Sequence, residues 1–480
     1  MAQKEHIILF PSLGQGHFIP FMALAALLDH RYHYAVTYVS TPANIHSLQS
    51  TLPPNSTIRL ATLPFHGPDH GLPPDKETAE LLPHPLGFRL LEASQTLQPA
   101  FESLILEISR EHGRTPLAII SDMFNSWTVE IANQLGIFQA IFVVSGAYGT
   151  AIYFSLWLNL PHTRTDSNEF TLPDFSQTVV IQRNQLATQF KVANETDFIL
   201  KFHHRLLPLC WRADGFLFNT FEELEKTGLE YFRSKSGGKP VWAIGPLKNI
   251  AQGRKKPGVS AESCITWLDL HPPNSALFVS FGSHNTIGAP QMKELAMGLE
   301  ATGRPFIWVV RPPLGFDRDG EFRAEWLPEG FEERISERKQ GILVRHWGPQ
   351  LEILAHRSTG VFLSHCGWNS TTESLSRGVP MIGWPMSGEQ FYNVKMMEEL
   401  GVCVEMARGN SADIGTNDVE RVIELVMGGT NKWEEMKKKA LQLKEMIELA
   451  VREDEECKGS SAKALDEFLK AISAKAETKM

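Results

Sequence analysis

His6-Ile-Ile-Leu-Phe-Pro-Ser-Leu-Gly-Gln-Gly-His17 sets an apolar run against a turn of small residues, and residues 18–28 continue as an apolar helical stretch. Residues 277–284, Leu-Phe-Val-Ser-Phe-Gly-Ser-His, open the second half in the same way. A strand, a Gly/Ser-rich turn and a helix begin a Rossmann-like unit, so the two stretches predict a pair of such units rather than a short-period repeat array. Outward from them, apolar runs at 34–40, 57–62, 117–121 and 139–144 follow the first, and runs at 306–310, 341–345, 360–364, 379–383 and 402–405 follow the second. Amphipathic stretches separate the runs, which predicts an α/β protein with parallel sheets covered by helices. Ligands of open α/β sheets lie outside the carboxyl ends of the strands, so two facing units are expected to hold theirs in a deep cleft. The expected domains are 1–246 and 263–457, joined by an exposed polar linker at 247–262 and followed by a helical segment at 458–480.

A chain of 480 residues has room for two to four domains at roughly 100 to 200 residues each. With 42% hydrophobic and 21% charged residues it can bury more than one core, which excludes a disordered or low-complexity chain. Basic residues number 46 against 55 acidic ones, without a Lys/Arg block, so nucleic acid is not an expected partner. Five scattered cysteines without a C-x-x-C predict neither disulfides nor a zinc site and suit a reducing, cytoplasmic location. Glu5 and His6 precede only four apolar residues, too few for a secretory leader, and residues 475–480 carry no anchor motif. Residues 140–158 are uncharged over 19 positions, the length of a membrane span. Ser145-Gly-Ala interrupts them, and a buried strand followed by a buried helix is expected instead, with no membrane segment.

The N-terminal turn is not a dinucleotide fingerprint, because Ile19 occupies the third glycine position after Gly14 and Gly16. His17 is expected just before a helix that carries Pro20 in its first turn, where the positive end of the helix dipole favours a neutral, proton-accepting imidazole. Alone it reads more readily as a solvated capping histidine than as a base. Asp122, at the end of the run 117–121 and so at the same sheet rim, adds a carboxylate able to hold the imidazole tautomer, which makes the pair a candidate base dyad.

The densest signal runs from Trp347 to Gln390. There the strand 360–364 ends in His365-Cys-Gly-Trp-Asn-Ser370, a helix is expected over 370–376, and Gly378 lies beyond it. Small residues with a His, an Asn and a Ser at a helix N-terminus form an anion site suited to a diphosphate. Trp347 offers a face for a planar base, while Gln350 and Glu373 can hydrogen-bond sugar hydroxyls. Any one of these residues could be ordinary core; their combination points to a ligand.

These 44 residues resemble the signature box of plant family 1 UDP-sugar-dependent glycosyltransferases. Agreement extends to residues 11–20, Ser121-Asp122 and the stretches 218–224, 244–247, 281–283 and 326–331. The resemblance implies the GT-B fold, with two facing Rossmann-like domains, the active site in their cleft and a helix near 460–472 crossing back to the N-terminal domain. It makes His17 the general base and Asp122 its partner. On the donor side it assigns Trp347 to stacking on uracil, Gly348 and Gln350 to the base and ribose, and Glu373 to the ribose hydroxyls. Ser283, His365, Asn369 and Ser370, with Gly367 among them, fall to the diphosphate, and Trp368, Glu389 and Gln390 to the sugar, with Ser145 as a further sugar contact. Gly348 stands where Ala is usual, a change expected to matter little because the family uses that residue's backbone.

The implied reaction is inverting and needs no metal or cofactor, the UDP-sugar being a co-substrate. The Glu389-Gln390 ending favours UDP-glucose, its amide expected both to donate and to accept; UDP-rhamnose, UDP-xylose and UDP-glucuronate stay open. The expected acceptor is a small apolar plant metabolite bearing a hydroxyl, a flavonoid or other phenolic or a terpenoid, or one already glycosylated. Its walls are sought in 63–91, 148–160 and 184–207, and the protein is expected to be a monomer. Asp122→Asn is expected to cost less than loss of His17. Asp317-Arg-Asp319, a D-x-D, reads as a solvated loop rather than a metal site. A non-catalytic UDP-sugar-binding protein is the alternative of another class, and a nicotinamide oxidoreductase is disfavoured by the missing third glycine.

Overall fold

Ile7, Ile8, Leu9 and Phe10 are all fully buried, as a strand covered on both faces requires. The computed structural model in which they lie describes residues 4–52, 55–187, 190, 197–247, 258–317, 320–454 and 456–477. The middle of the expected linker (248–257), part of the acceptor wall (188–189 and 191–196) and Arg318 and Asp319 of the D-x-D lie outside the described residues. The chain forms two compact units. Met1–Asn184, Gln189–Arg254 and Leu449–Met480 make the first; Gln185–Thr188 and Lys255–Glu448 make the second.

The first unit is built on strands β1 (His6–Phe10), β2 (Ala35–Ser40), β3 (Arg59–Thr62), β4 (Ala118–Ser121) and β5 (Phe138–Val143). A hairpin of β6 (Glu169–Thr171) and β7 (Val180–Gln182) follows, then β8 (Gly215–Phe218) and β9 (Val241–Ala243). Its sheet is parallel throughout, in the order β3-β2-β1-β4-β5-β8-β9. Alternation along β1 divides the interior between the two faces. Ile7 and Leu9 pack with Phe18, Phe21 and Leu24 of the helix Gln15–His30, and Leu465, Phe468 and Ile472 of the helix Ser460–Glu477 complete that core. Ile8 and Phe10 face Phe101, Ile105 and Ile108 of the helix Gln98–His112. Phe468 sets its ring against Trp242 and Phe138, at centroid distances of 5.3 and 6.1 Å, and Lys475 bonds Asp214 at 2.7 Å.

The second unit carries β10 (Ala276–Ser280), β11 (Phe306–Val310), β12 (Gly341–Arg345), β13 (Thr359–Ser364), β14 (Met381–Gly383) and β15 (Cys403–Glu405). They too are parallel, in the order β12-β11-β10-β13-β14-β15. Leu277, Val279, Trp308, Leu363 and Ile382 form its core with the helices Ala289–Ala301 and Thr416–Met427.

The strands expected from the apolar runs are present, with ends differing by at most two residues. Strands β8 and β9 and the hairpin were not expected. Residues 140–158 divide between β5 and the buried helix Ala147–Asn159, and among the described residues no helix is long and apolar enough to cross a membrane.

Candidate active site

Strands β1 and β4 are neighbours and parallel, so the turns that follow them open on one rim of the first sheet. After β4, the Asp122 amide donates to the Phe10 carbonyl at 3.0 Å and continues the ladder. One carboxylate oxygen of Asp122 accepts the Phe124 amide at 3.0 Å; the other lies 2.6 Å from His17 Nδ1. Asp122 is 1% exposed and His17 26%, so the dyad has a buried end and an open one. A carboxylate accepts only, so the Nδ1 proton points at Asp122 and Nε2 is left as a proton acceptor. One expectation needs correction: the helix begins at Gln15, two residues before His17, and Pro20 falls in its second turn, where it cannot donate to the Gly16 carbonyl. The imidazole therefore projects from within the first turn. Ser145 follows β5 on the same rim and is half-buried.

On the second sheet, β13 runs into His365, then Cys366 at φ +58°, then Gly367, which caps the helix Trp368–Leu375. That helix starts two residues before the expected 370–376, so Asn369 and Ser370 sit inside its first turn. The His365 ring lies between two glycines. A Cβ on Gly282 would stand 2.5 Å from its Cε1, and one on Gly367 would stand 2.5 Å from its Nε2. Burial, and then the Arg311 guanidinium, hold this imidazole down at about 4, so it meets an anion as a neutral hydrogen-bonding group. Arg311 also donates to the Ser283 carbonyl at 2.5 Å and so braces the turn after β10.

Gln350 opens the helix Gln350–Ala355 and donates to Glu373 at 2.7 Å and to Ser370 Oγ at 3.2 Å, which brings three donor-side candidates together. Trp347, just upstream, is half-buried. At Gly348 a Cβ would lie 2.7 Å from Val309 Cγ2, so Val309 fills the space an alanine methyl would take. The glycine is therefore matched to its neighbour. Trp368 is 3% exposed. Gln390 Oε1 accepts the Met386 and Ser387 amides at 3.0 and 3.1 Å. Its oxygen is occupied by the loop and its Nε2 donates to Ser387 Oγ at 3.3 Å, which leaves one N–H of the amide; Glu389 is half-buried beside it. Among the described residues, no group of three or more His, Cys, Asp or Glu is placed to hold a metal ion.

Residues 273–446 match the family model "UDP-glucoronosyl and UDP-glucosyl transferase". The chain is 43% identical to UDP-glycosyltransferase 92A1 of Arabidopsis thaliana, with 96% of each covered. It belongs to the plant family 1 UDP-glycosyltransferases. The glycosyltransferase is also 45% identical to Crocetin glucosyltransferase 3 of Crocus sativus, over 88% of this chain and 90% of that one. Among solved structures, UGT73P12 of Glycyrrhiza uralensis, complexed with glycyrrhetinic acid 3-O-monoglucuronide, matches at a TM-score of 0.82 and 28% identity, covering 99% and 97%. UGT2 of Phytolacca americana, complexed with UDP-2fluoro-glucose and pterostilbene, matches at 0.77 and 27% identity, covering 98% and 100%. The fold is GT-B.

Arg311 was not foreseen in the glycosyltransferase, although a lone cation directly after the apolar run 306–310, at a strand's carboxyl end, was a usable signal. Burial also holds two histidines of the first unit as neutral rings. His6, bonded to Thr37 at 2.8 Å, is lowered to about 4, and His203, stacked on Trp157 at 4.1 Å, to about 3. Unfolded, these rings and His365 take protons below 6.5, while the folded protein resists doing so. Their stabilisation is complete above 6.5 and is lost as pH falls through 4. The melting temperature of the glycosyltransferase is expected to drop progressively between about pH 6.5 and about pH 4.5, and a flat profile across that window would contradict these assignments.

Proposed function

We propose that the enzyme transfers glucose from UDP-glucose to a hydroxyl of a small apolar plant metabolite, a flavonoid or other phenolic or a terpenoid, with inversion at the anomeric carbon. The observation that carries the reading is the 2.6 Å bond from His17 Nδ1 to the buried Asp122 carboxylate, which leaves Nε2 to take the acceptor proton. As the acceptor oxygen bonds to the anomeric carbon, the bond from that carbon to the diphosphate breaks and UDP departs with the electron pair. The imidazolium formed on His17 is stabilised by Asp122. The leaving charge is met by the first-turn amides of the helix Trp368–Leu375, by Ser283, Asn369 and Ser370, and by a hydrogen bond from His365. Trp347 stacks on uracil, Gly348 and Gln350 meet the base and ribose, and Glu373, already bonded to Gln350, takes the ribose hydroxyls.

Glucose is favoured because a carboxylate at Glu389 accepts from two adjacent equatorial hydroxyls while the Gln390 amide donates to a neighbour. An axial hydroxyl, as in galactose, leaves part of this set unpaired at a cost of about 1 to 3 kcal/mol, tenfold or more in preference. The names of relatives support the choice: a Scopoletin glucosyltransferase of Nicotiana tabacum and an Anthocyanin 3'-O-beta-glucosyltransferase of Gentiana triflora are 33% and 32% identical. A glycoside acceptor is the second reading, favoured by the monoglucuronide bound in UGT73P12. UDP-glucose, UDP-galactose, UDP-xylose, UDP-rhamnose and UDP-glucuronate competed for one phenolic acceptor, with and without EDTA, test the proposal. We expect UDP-glucose to give the highest kcat/KM and EDTA to have no effect. A better donor among the others refutes glucose, and activity lost to EDTA and restored by Mg²⁺ or Mn²⁺ refutes metal independence.

A further inference from the structure

The helix that carries His17 starts without a cap of its own. Gly14 stands at the N-cap and has no side chain to accept the first amides, which elsewhere a Ser, Thr, Asp or Asn would do. The missing acceptor comes from 65 residues away: Glu80 Oε1 takes the Gln15 amide at 2.7 Å. The other oxygen of Glu80 is fixed by the Thr78 hydroxyl at 2.5 Å, and the Ala79 amide donates to the Leu13 carbonyl at 3.0 Å. The site of a Cβ on Gly14 lies 3.5 Å from both Glu80 Oε1 and His17 Cδ2, so carboxylate and imidazole flank the same glycine. Apolar contacts add to the latch, since Leu13 is buried with Leu72, Leu82 and Leu90. Three residues before Glu80, Glu77 does the same for the neighbouring helix Pro42–Gln49, whose Thr41 side chain caps none of the helix's backbone amides: Glu77 Oε2 accepts the Ala43 amide at 2.8 Å.

We propose that Glu80 is a positioning residue for His17, tying the first amide of the helix Gln15–His30 to the segment 67–93 and so fixing the turn from which the imidazole meets the acceptor hydroxyl. This rests on the reading of His17 as the base. The segment it latches includes much of the stretch from which an acceptor wall is expected, so the same carboxylate joins the base to the surface that presents the base's substrate. A displaced base loses reaction rate rather than donor binding, because the donor residues belong to the other unit.

The test compares Glu80→Met, which keeps length but accepts no hydrogen bond, with Glu80→Gln, which keeps an oxygen for the Gln15 amide, and runs His17→Ala beside them. Kinetics are measured with UDP-glucose and a phenolic acceptor, together with melting temperature. Glu80→Met is expected to lower kcat about 10- to 100-fold with the KM for UDP-glucose unchanged, the size of effect that a misplacement of about 1 Å produces. Glu80→Gln is expected to restore most of that loss. Native turnover in Glu80→Met, or an equal fall in Glu80→Gln, overturns the proposal. Should Glu80→Met not fold, Thr78→Val, which frees only the second oxygen, is expected to give the same split at about threefold in kcat, and an unchanged kcat there overturns it. The two readings separate cleanly: turnover kept in His17→Ala removes the base assignment, whereas turnover lost there and kept in Glu80→Met removes only the role of Glu80.

Discussion

His17→Ala is expected to lower kcat by roughly 10²- to 10⁴-fold, the usual share of a general base, while the affinity for UDP-glucose stays close to native. The split follows from where the residue stands: it belongs to the first sheet's rim, whereas the groups assigned to the nucleotide belong to the second unit. The alanine leaves Asp122 with its Phe124 bond and no route to the acceptor proton. Near-normal kcat with a phenol at neutral pH would end the assignment. The geometry also changes what is expected of Asp122→Asn. The Phe124 amide requires an oxygen at one position, so the amide nitrogen of an asparagine is turned toward His17 Nδ1. A donor there drives the imidazole proton to Nε2 and removes the basic lone pair. A loss approaching that of His17→Ala is expected, rather than the mild one suggested by sequence; isothermal titration with UDP on both variants separates it from damage to the donor site.

Gly282→Ala is expected to weaken UDP binding by about 10- to 10²-fold. The glycine sits at φ +76°, where an L-residue carries strain of about 1 to 3 kcal/mol. Its new methyl would stand 2.5 Å from His365 Cε1 and 2.7 Å from Nε2. The ring cannot retreat toward Gly367, whose backbone closes the other side, so it must leave its place and forfeit a charge-assisted bond of about 1.5 to 3 kcal/mol. Gly303→Ala is the control: its φ is +64°, but nothing lies within 4 Å of the added Cβ, so it carries the backbone strain alone. Titration calorimetry with UDP on the two variants checks this, and equal dissociation constants would remove His365 from the diphosphate site.

The sheets were legible because most strands are buried on both faces and so announce themselves as apolar runs, as β1 and β11 do with identical bounds. Strands β8 and β9 escaped notice; their places are set by pairing, β8 along β5 and β9 along β8. The hairpin escaped for another reason: each strand buries one residue, Phe170 or Ile181, between exposed neighbours. In the site, the box from Trp347 to Gln390 could be read because its residues are close in sequence. Glu80 could not, since its partner is 65 residues away and no local pattern links the two; Arg311 carried a signal, its place at the end of the run 306–310, that went unused. Gln390 shows a third limit, since a loop has already claimed three of the four hydrogen-bonding positions of its amide, which its place in the sequence does not reveal.

The helix Ser460–Glu477 has a bearing on how the protein is made. Phe468 and Ile472 complete the core of the first unit, yet in the order of synthesis they come after the whole of Lys255–Glu448. The second unit is nearly continuous in sequence and can close once its own residues have left the ribosome. The first unit, although begun earlier, waits with Phe138 and Trp242 uncovered until the last helix arrives. A nascent chain stalled near residue 448 thus displays an apolar stripe on its older half, which is the kind of surface that chaperones bind and proteases clear.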